Sequence, residues 1–299
     1  MIDLTNCKQD IFRAYDGANG SKICLIYNGE KYMVKFPPVA KDNKELSYTN
    51  SCISEHLASS VYKTLGIPVQ ETFLAKYTRN GKEKIVVACK DFCQDSRLEL
   101  VSFAKVKNTC VDSLSNGYGT ELSSIMDAIE EQPLVDVVLV KERFWEMFAA
   151  DTFLGNFDRH NGNWGFLINR EQESATLAPV YDNGSCLYPQ LTLEQMKSII
   201  ESEQETNNRI YVFPNSAIKE NDKKINYKAF LMSTSDRECL CAFAKISKRI
   251  DLQKINKIIE GLPIPKIEKQ FYSHMLTQRK EKIVNVVMER IKEENIVKI

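Results

Sequence analysis

The sequence predicts an α+β chain: a small antiparallel β lobe carrying one helix, followed by a larger, mainly helical lobe. Three patterns predict it. Two hairpin signals flank a helical stripe within about the first ninety residues, helical periodicity dominates from about 120 onward, and one loop-rich interruption falls over 155–181. The first hairpin begins with a β-prone stretch over 23–27, turns at Asn28-Gly29 and resumes in alternation over 31–36. Tyr32, Val34 and Phe36 share one face and Met33 and Lys35 the other; Pro37-Pro38 ends the ladder, because proline cannot donate to it. Ile53, Leu57, Val61 and Leu65 then form an i, i+4 helical stripe, with Gly66 at the C′ position and Pro68 blocking continuation. A second hairpin takes 72–77, a turn at Asn80-Gly81, and 84–89.

Beyond residue 95 the texture changes. The segment 96–119 is polar with few periods and reads as loop and short helix. Helices are predicted over 121–130, 141–154, 193–203, 227–250 and from 267 to the end. Within the interruption, a Gly/Asn/Asp-rich loop leads into a strand over 164–168, a turn, and a second strand over 177–181. The composition change at 92–96 divides the chain into lobes of 1–93 and 94–299.

Composition narrows the function. The chain has 299 residues with 40 Lys+Arg against 40 Asp+Glu, so no global basic field grips nucleic acid or an anionic membrane. The N-terminus lacks a basic region followed by an apolar one, and the longest apolar runs, such as 135–140, are too short to span a bilayer. A cytoplasmic protein is expected, with export by a route needing no cleavable signal as the alternative. Nine scattered cysteines and only three histidines supply zinc sites poorly, so the thiols read as reduced, buried apolar groups. The basic stretch Arg279-Lys280-Glu281-Lys282 reads as a solvated helix face.

The densest polar cluster runs Gly155-Asn156-Phe157-Asp158-Arg159-His160-Asn161-Gly162-Asn163-Trp164-Gly165, between an apolar helix and a strand. The hairpin after it delivers Asp182-Asn183-Gly184. An Asp, an Asn five positions on, and a further Asp-x-Gly after a hairpin match the phosphoryl-transfer layout of protein kinases. In that layout Asp158 is the catalytic base that accepts the substrate hydroxyl's proton. Asn163 and Asp182 are the ligands of Mg²⁺, a hard ion that takes few protein oxygens and completes its shell with phosphate and water. Glycines 155, 162, 165 and 184 let the backbone turn tightly. As bare turn chemistry the same residues would simply cap a helix.

The β lobe should supply an ATP lysine. Lys35 is that candidate, with Glu55 on the following helix as its carboxylate partner. The segment Gly17, Ala18, Asn19, Gly20 and Ser21 precedes the first hairpin and could cradle phosphates with its amides, though it has only two glycines. Backbone groups of Cys89, Lys90, Asp91 and Phe92, where the lobes meet, are candidates for the adenine edge by position.

With these residues in hand, the chain resembles the HipA-like serine/threonine kinases of bacterial toxin systems. The resemblance rests on Tyr32-Met33-Val34-Lys35-Phe36-Pro37, Ser54-Glu55, Lys63-Thr64-Leu65-Gly66-Ile67-Pro68, Asn156-x-Asp158-Arg159-His160-x-x-Asn163-x-Gly165-Phe166 and Ala178-Pro179-x-Tyr181-Asp182-Asn183-Gly184. It implies a two-lobed kinase-like fold, ATP and Mg²⁺ dependence, and phosphorylation of Ser or Thr in protein substrates, the kinase itself included. The chain is shorter than the two-component toxin kinases and shows no module that docks a DNA-binding antitoxin, so an antitoxin partner stays open. In compactness it is similar to the family's stand-alone, cell-translocating proinflammatory type. The family's regulatory serine appears as Ala14. Two rivals remain: a lipid or small-molecule kinase, since such enzymes share Asp-Arg-His-x-x-Asn, and a non-catalytic kinase-like binding module.

Overall fold

The computed structural model describes residues 1–15, 21–38, 49–110 and 116–296. Its first part is a six-stranded sheet built from β1 (Ile2–Asp3), β2 (Lys8–Gln9), β3 (Lys22–Tyr27), β4 (Glu30–Lys35), β5 (Thr72–Arg79) and β6 (Lys82–Lys90), in the order β1-β5-β6-β4-β3-β2. Both predicted turns form, with Asn28, Gly29, Asn80 and Gly81 all at positive φ, the geometry a two-residue hairpin twist demands. The sheet is antiparallel except where β1 adds parallel to β5. Period-two alternation separates its faces. Leu25, Val34, Phe36, Ala75, Val86 and Ala88 form one apolar layer, while Val87 and Cys89 pack on the other side against Cys52 of α1 (Ser51–Thr64).

That helix also buries the predicted stripe, but against the helical part of the molecule: Ile53, Leu57, Val61 and Leu65 belong to the same apolar cluster as the later helices. The chain then forms β7 (Leu98–Ser102), α2 (Phe103–Cys110), α3 (Leu122–Glu131) and the long α4 (Val137–Leu154). Strands β8 (Gly165–Asn169) and β9 (Ser174–Leu177) follow, then α5 (Leu193–Glu201), α6 (Glu203–Tyr211), the hairpin β10 (Lys219–Glu220) and β11 (Lys223–Lys224), α7 (Tyr227–Ser233), α8 (Arg237–Ser247), α9 (Leu252–Gly261) and α10 (Lys266–Arg279). A π-helical stretch (Lys280–Asn285) joins α10 to α11 (Val286–Glu293). Helix α4 lies at the centre, and Phe144, Trp145, Phe148 and Phe153 on it are nearly or fully buried. Among the described residues no helix is long and apolar enough to cross a membrane.

Several expectations are corrected. The stretch expected to be loop and short helix contains β7, which pairs antiparallel with β8, Leu100 lying opposite Leu167. The second strand of the interruption ends at Leu177, not 181. Pro179 cannot donate to a ladder, and the chain instead crosses to the segment after α1, where Val180 donates to the Pro68 carbonyl (2.8 Å) and accepts from Gln70 (2.9 Å). The helix expected over 227–250 is two, because Asp236 caps a fresh start by accepting the Cys239 amide. Ser202 likewise ends α5 and caps α6. Gly155 does take the left-handed cap of α4, at φ +65°, whereas Gly165 is needed for closeness: a Cβ there would meet the Val101 carbonyl at 2.2 Å. Arg279, expected on a solvated face, is fully buried, and its guanidinium donates to the Thr152 and Phe153 carbonyls in the last turn of α4.

Candidate active site

A cavity of about 680 Å³ opens between the sheet and the helical part. Lys35, Glu55, Asp91, Phe92, Asp158, Asn163 and Asp182 all line it. Lys35 faces it because it ends β4 on the side opposite Val34, and α1 presents Glu55 from the neighbouring wall. The Lys35 ammonium lies 2.7 Å from Glu55 Oε2 and 2.8 Å from Asp182 Oδ1, while Glu55 Oε1 accepts the Asn183 amide at 2.8 Å. One cation thus holds a helix carboxylate and a loop carboxylate together. Burial works against the Lys35 charge, but Asp182 and Glu55 outweigh it and hold its pKa well above the ordinary value. Burial raises the Asp182 carboxyl, and Lys35 more than reverses this, bringing it down to about 2.

The crossing of 178–181 onto the α1 side is what carries Asp182 to Lys35. Its backbone sits at φ +58°, an uncommon conformation for a residue with a Cβ. The loop after α4 is fixed from beneath by Arg159, which is buried. That guanidinium donates to Asp151 (2.9 Å), to the carbonyls of Asn163 (3.0 Å) and Tyr181 (2.6 Å), and to Asn183 Oδ1 (2.5 Å). Asp151, on α4, also accepts from Tyr62 of α1 (2.6 Å) and from Asn156 (2.9 Å). Asn163 donates its side-chain N–H to the Asp158 carbonyl at 2.8 Å, which leaves its amide oxygen as an available ligand atom. The Asp158 carboxyl is raised above the ordinary range, chiefly by burial; His160 opposes this and Asp182 adds to it.

Other expected positions lie elsewhere. Gly17, Ala18, Asn19 and Gly20 fall outside the described residues. Ser21 does not line the cavity; its carbonyl accepts the Phe36 amide. Cys89 is buried beneath α1 with Val87 and Cys52. Lys90 turns away to pair with Glu30 at 2.6 Å, and both of its peptide groups are taken, by Glu71 and Gln70. Asp91 does reach the cavity, but its carboxylate is occupied by Arg13 (2.8 and 3.0 Å), Tyr15 (2.6 Å) and the Cys93 amide (2.8 Å), and its own amide donates to Lys31. Among the described residues this leaves the Phe92 peptide groups uncommitted at the adenine-edge positions.

Sequence reasoning missed several lining residues, among them Arg13, Tyr15 and Lys22. Arg13 and Tyr15 reach Asp91 from far along the chain, with no local signal. Lys22 was legible: a two-residue turn at Asn28-Gly29 forces position 22 opposite Lys35, the observed register. Burial, then the Lys35 charge, depresses its pKa.

Comparison with known proteins agrees with this architecture. The HipA-like C-terminal domain matches residues 17–259. The serine/threonine-protein kinase CtkA of Helicobacter pylori is 47% identical over 291 residues, covering 97% of this chain and 88% of that protein. The crystal structure of the H. pylori proinflammatory kinase CtkA superposes with a TM-score of 0.91 at 46% identity, covering 98% of each chain. A structure from Shewanella oneidensis, of the toxin–antitoxin proteins HipA and HipB with operator DNA, gives a TM-score of 0.51 at 16% identity over 92% of this chain and 68% of that one. At that identity the likeness concerns the fold alone. With one family domain spanning most of its length and a close relative along nearly all of it, the chain belongs to the HipA-like C-terminal domain family.

Proposed function

We propose that this protein is a serine/threonine-protein kinase that transfers the γ-phosphoryl group of ATP to hydroxyl groups of protein substrates, itself included, with Mg²⁺ as the metal. A nucleotide-holding lobe over 1–93 and a catalytic lobe over 94–299 complete the reading. The single observation that carries it is the meeting, in one cavity, of Lys35 bonded to both Glu55 and Asp182 with Asp158 and Asn163.

The donor set suits magnesium, which is commonly held by one or two protein oxygens plus phosphate and water. Asn163 contributes a neutral oxygen and Asp182 an anionic one. When bound there, the ion supplies positive charge against the phosphate oxygens. Lys35, oriented by Glu55, holds nucleotide phosphates. Asp158 accepts the proton of the Ser or Thr hydroxyl as its oxygen bonds to the γ-phosphorus and the bond to the ADP oxygen breaks. A carboxyl raised by burial is better matched to that task than one in open water. Arg159 keeps the two loops at fixed separation, so little reorganisation remains at the moment of transfer.

The test is incubation of purified protein with labelled ATP and Mg²⁺, alone, with protein substrates and with lipid vesicles, followed by mass spectrometry of the chain. Label on Ser or Thr is expected, and Asp158→Asn should reduce it by at least ~10²-fold. Label confined to lipid, or full activity in Asp158→Asn, would overturn the assignment.

A further inference from the structure

Next to the cavity stands a small hairpin whose charges phosphoryl transfer does not use. In β10–β11, Lys219 lies opposite Lys224, and Glu220 lies opposite Lys223. Opposed residues share a face, so one face is balanced in charge and the other carries two lysines. Neither Lys219 nor Lys224 has a carboxylate partner among the described residues. Like charges placed directly opposite weaken a ladder, and an anion between them would relieve that repulsion.

The hairpin is tied to the loop of Asp158 by a short run of hydrogen bonds. Asn161, in that loop, donates to the carbonyls of Gly117 and Gly119, both at 2.8 Å. Between them, Tyr118 lines the cavity together with Asp158 and His160. One residue further, the Thr120 carbonyl accepts the Lys219 amide at 2.8 Å, and the Thr120 hydroxyl donates to Ala217 at 2.7 Å. The nearest acid, Glu121, is spent on the hairpin turn, where its carboxylate accepts the amides of Asn221 (2.6 Å) and Asp222 (3.2 Å). Burial, His160, Asp182 and Arg159 all act more strongly on the Asp158 carboxyl than Lys224, which still lowers it. The hairpin lysines do not line the cavity. They stand outside it, joined through Thr120 and Gly119 to Asn161 of the catalytic loop.

We propose that the Lys219/Lys224 face binds a carboxylate side chain of the protein substrate close to the Ser or Thr that is phosphorylated, so that acidic segments are preferred. The proposal rests on the phosphoryl-transfer reading above. Its test uses paired Ser peptides that differ only in Glu or Lys around the acceptor, with the full-length protein and its K224E and K219E/K224E variants. Wild type should favour the Glu peptide in kcat/KM by about tenfold near ~50 mM salt, with the ratio shrinking toward ~0.5 M as charges are screened. K224E should invert the ratio by gaining on the Lys peptide, a gain misfolding cannot produce. An unchanged ratio in K219E/K224E overturns the proposal, as does a flat profile in active wild type. Co-sedimentation with phosphatidylserine vesicles that K219E/K224E loses, at an unchanged peptide ratio, would assign the face to membranes and overturn it too. If wild type labels neither peptides nor itself, the phosphoryl-transfer reading fails and takes this proposal with it.

Discussion

Asp182 concentrates the opposing demands made on single residues here. Its carboxyl is held down to about 2 against an ordinary 3.8, so it stabilises the fold above its ordinary pKa, and that stability is lost as pH falls toward 2. A dry pair with that shift would contribute roughly 2–3 kcal/mol. With 41% of the side chain exposed, solvent screening reduces the figure to about 1 kcal/mol. Asp182→Asn is therefore expected to lower unfolding free energy by about 1 kcal/mol at neutral pH. The deficit should narrow between pH ~4 and ~2. Urea titrations across that range check both the size and the sign; a deficit that does not change with pH would place the effect outside this ion pair. Which residues would converge was legible because Asp158, Asn163 and Asp182 sit in short, punctuated segments. That Asp91 serves as a clasp for Arg13 and Tyr15 was not, because its partners lie 78 and 76 positions away.

Elements whose register is set locally were readable from the sequence, and those set by distant partners were not. The two hairpins and α1 carry their own instructions in Asn-Gly turns, a period of about four, and a Gly-x-Pro stop. Strand β7 has only the short Leu98–Ser102 run, and its partner β8 follows a 62-residue gap, so nothing nearby announces it. The Arg279 error has a similar origin. Charges on a C-terminal helix read as solvent-facing, yet this one caps the last turn of α4, whose terminal carbonyls have no partner within the helix. Arg279→Met would leave those carbonyls buried and unbonded. The expected loss is about 3 kcal/mol, read as a lower urea midpoint at unchanged slope; a midpoint within experimental error of wild type would mean water replaces the guanidinium.

Across the whole molecule, the division at 92–96 marks a change of texture in the sequence, whereas the apolar stripe of α1 packs across it. Ile53, Leu57, Val61 and Leu65 of α1 share one cluster with α4, α8 and α10. A fragment of residues 1–93 would expose that stripe to water at roughly 25 cal/mol per Å². It should therefore fail to fold alone, and the intact chain should unfold in one calorimetric transition with equal calorimetric and van't Hoff enthalpies. Two resolved transitions would show the lobes to be separate folding units. Arg159 adds a mechanical consequence. Because one buried guanidinium clamps α4, the 158–163 loop and the 181–183 loop, these three behave as a single anvil. Any opening that parts Lys35 from Asp182 would then move the sheet against this whole assembly, and not one loop against the other.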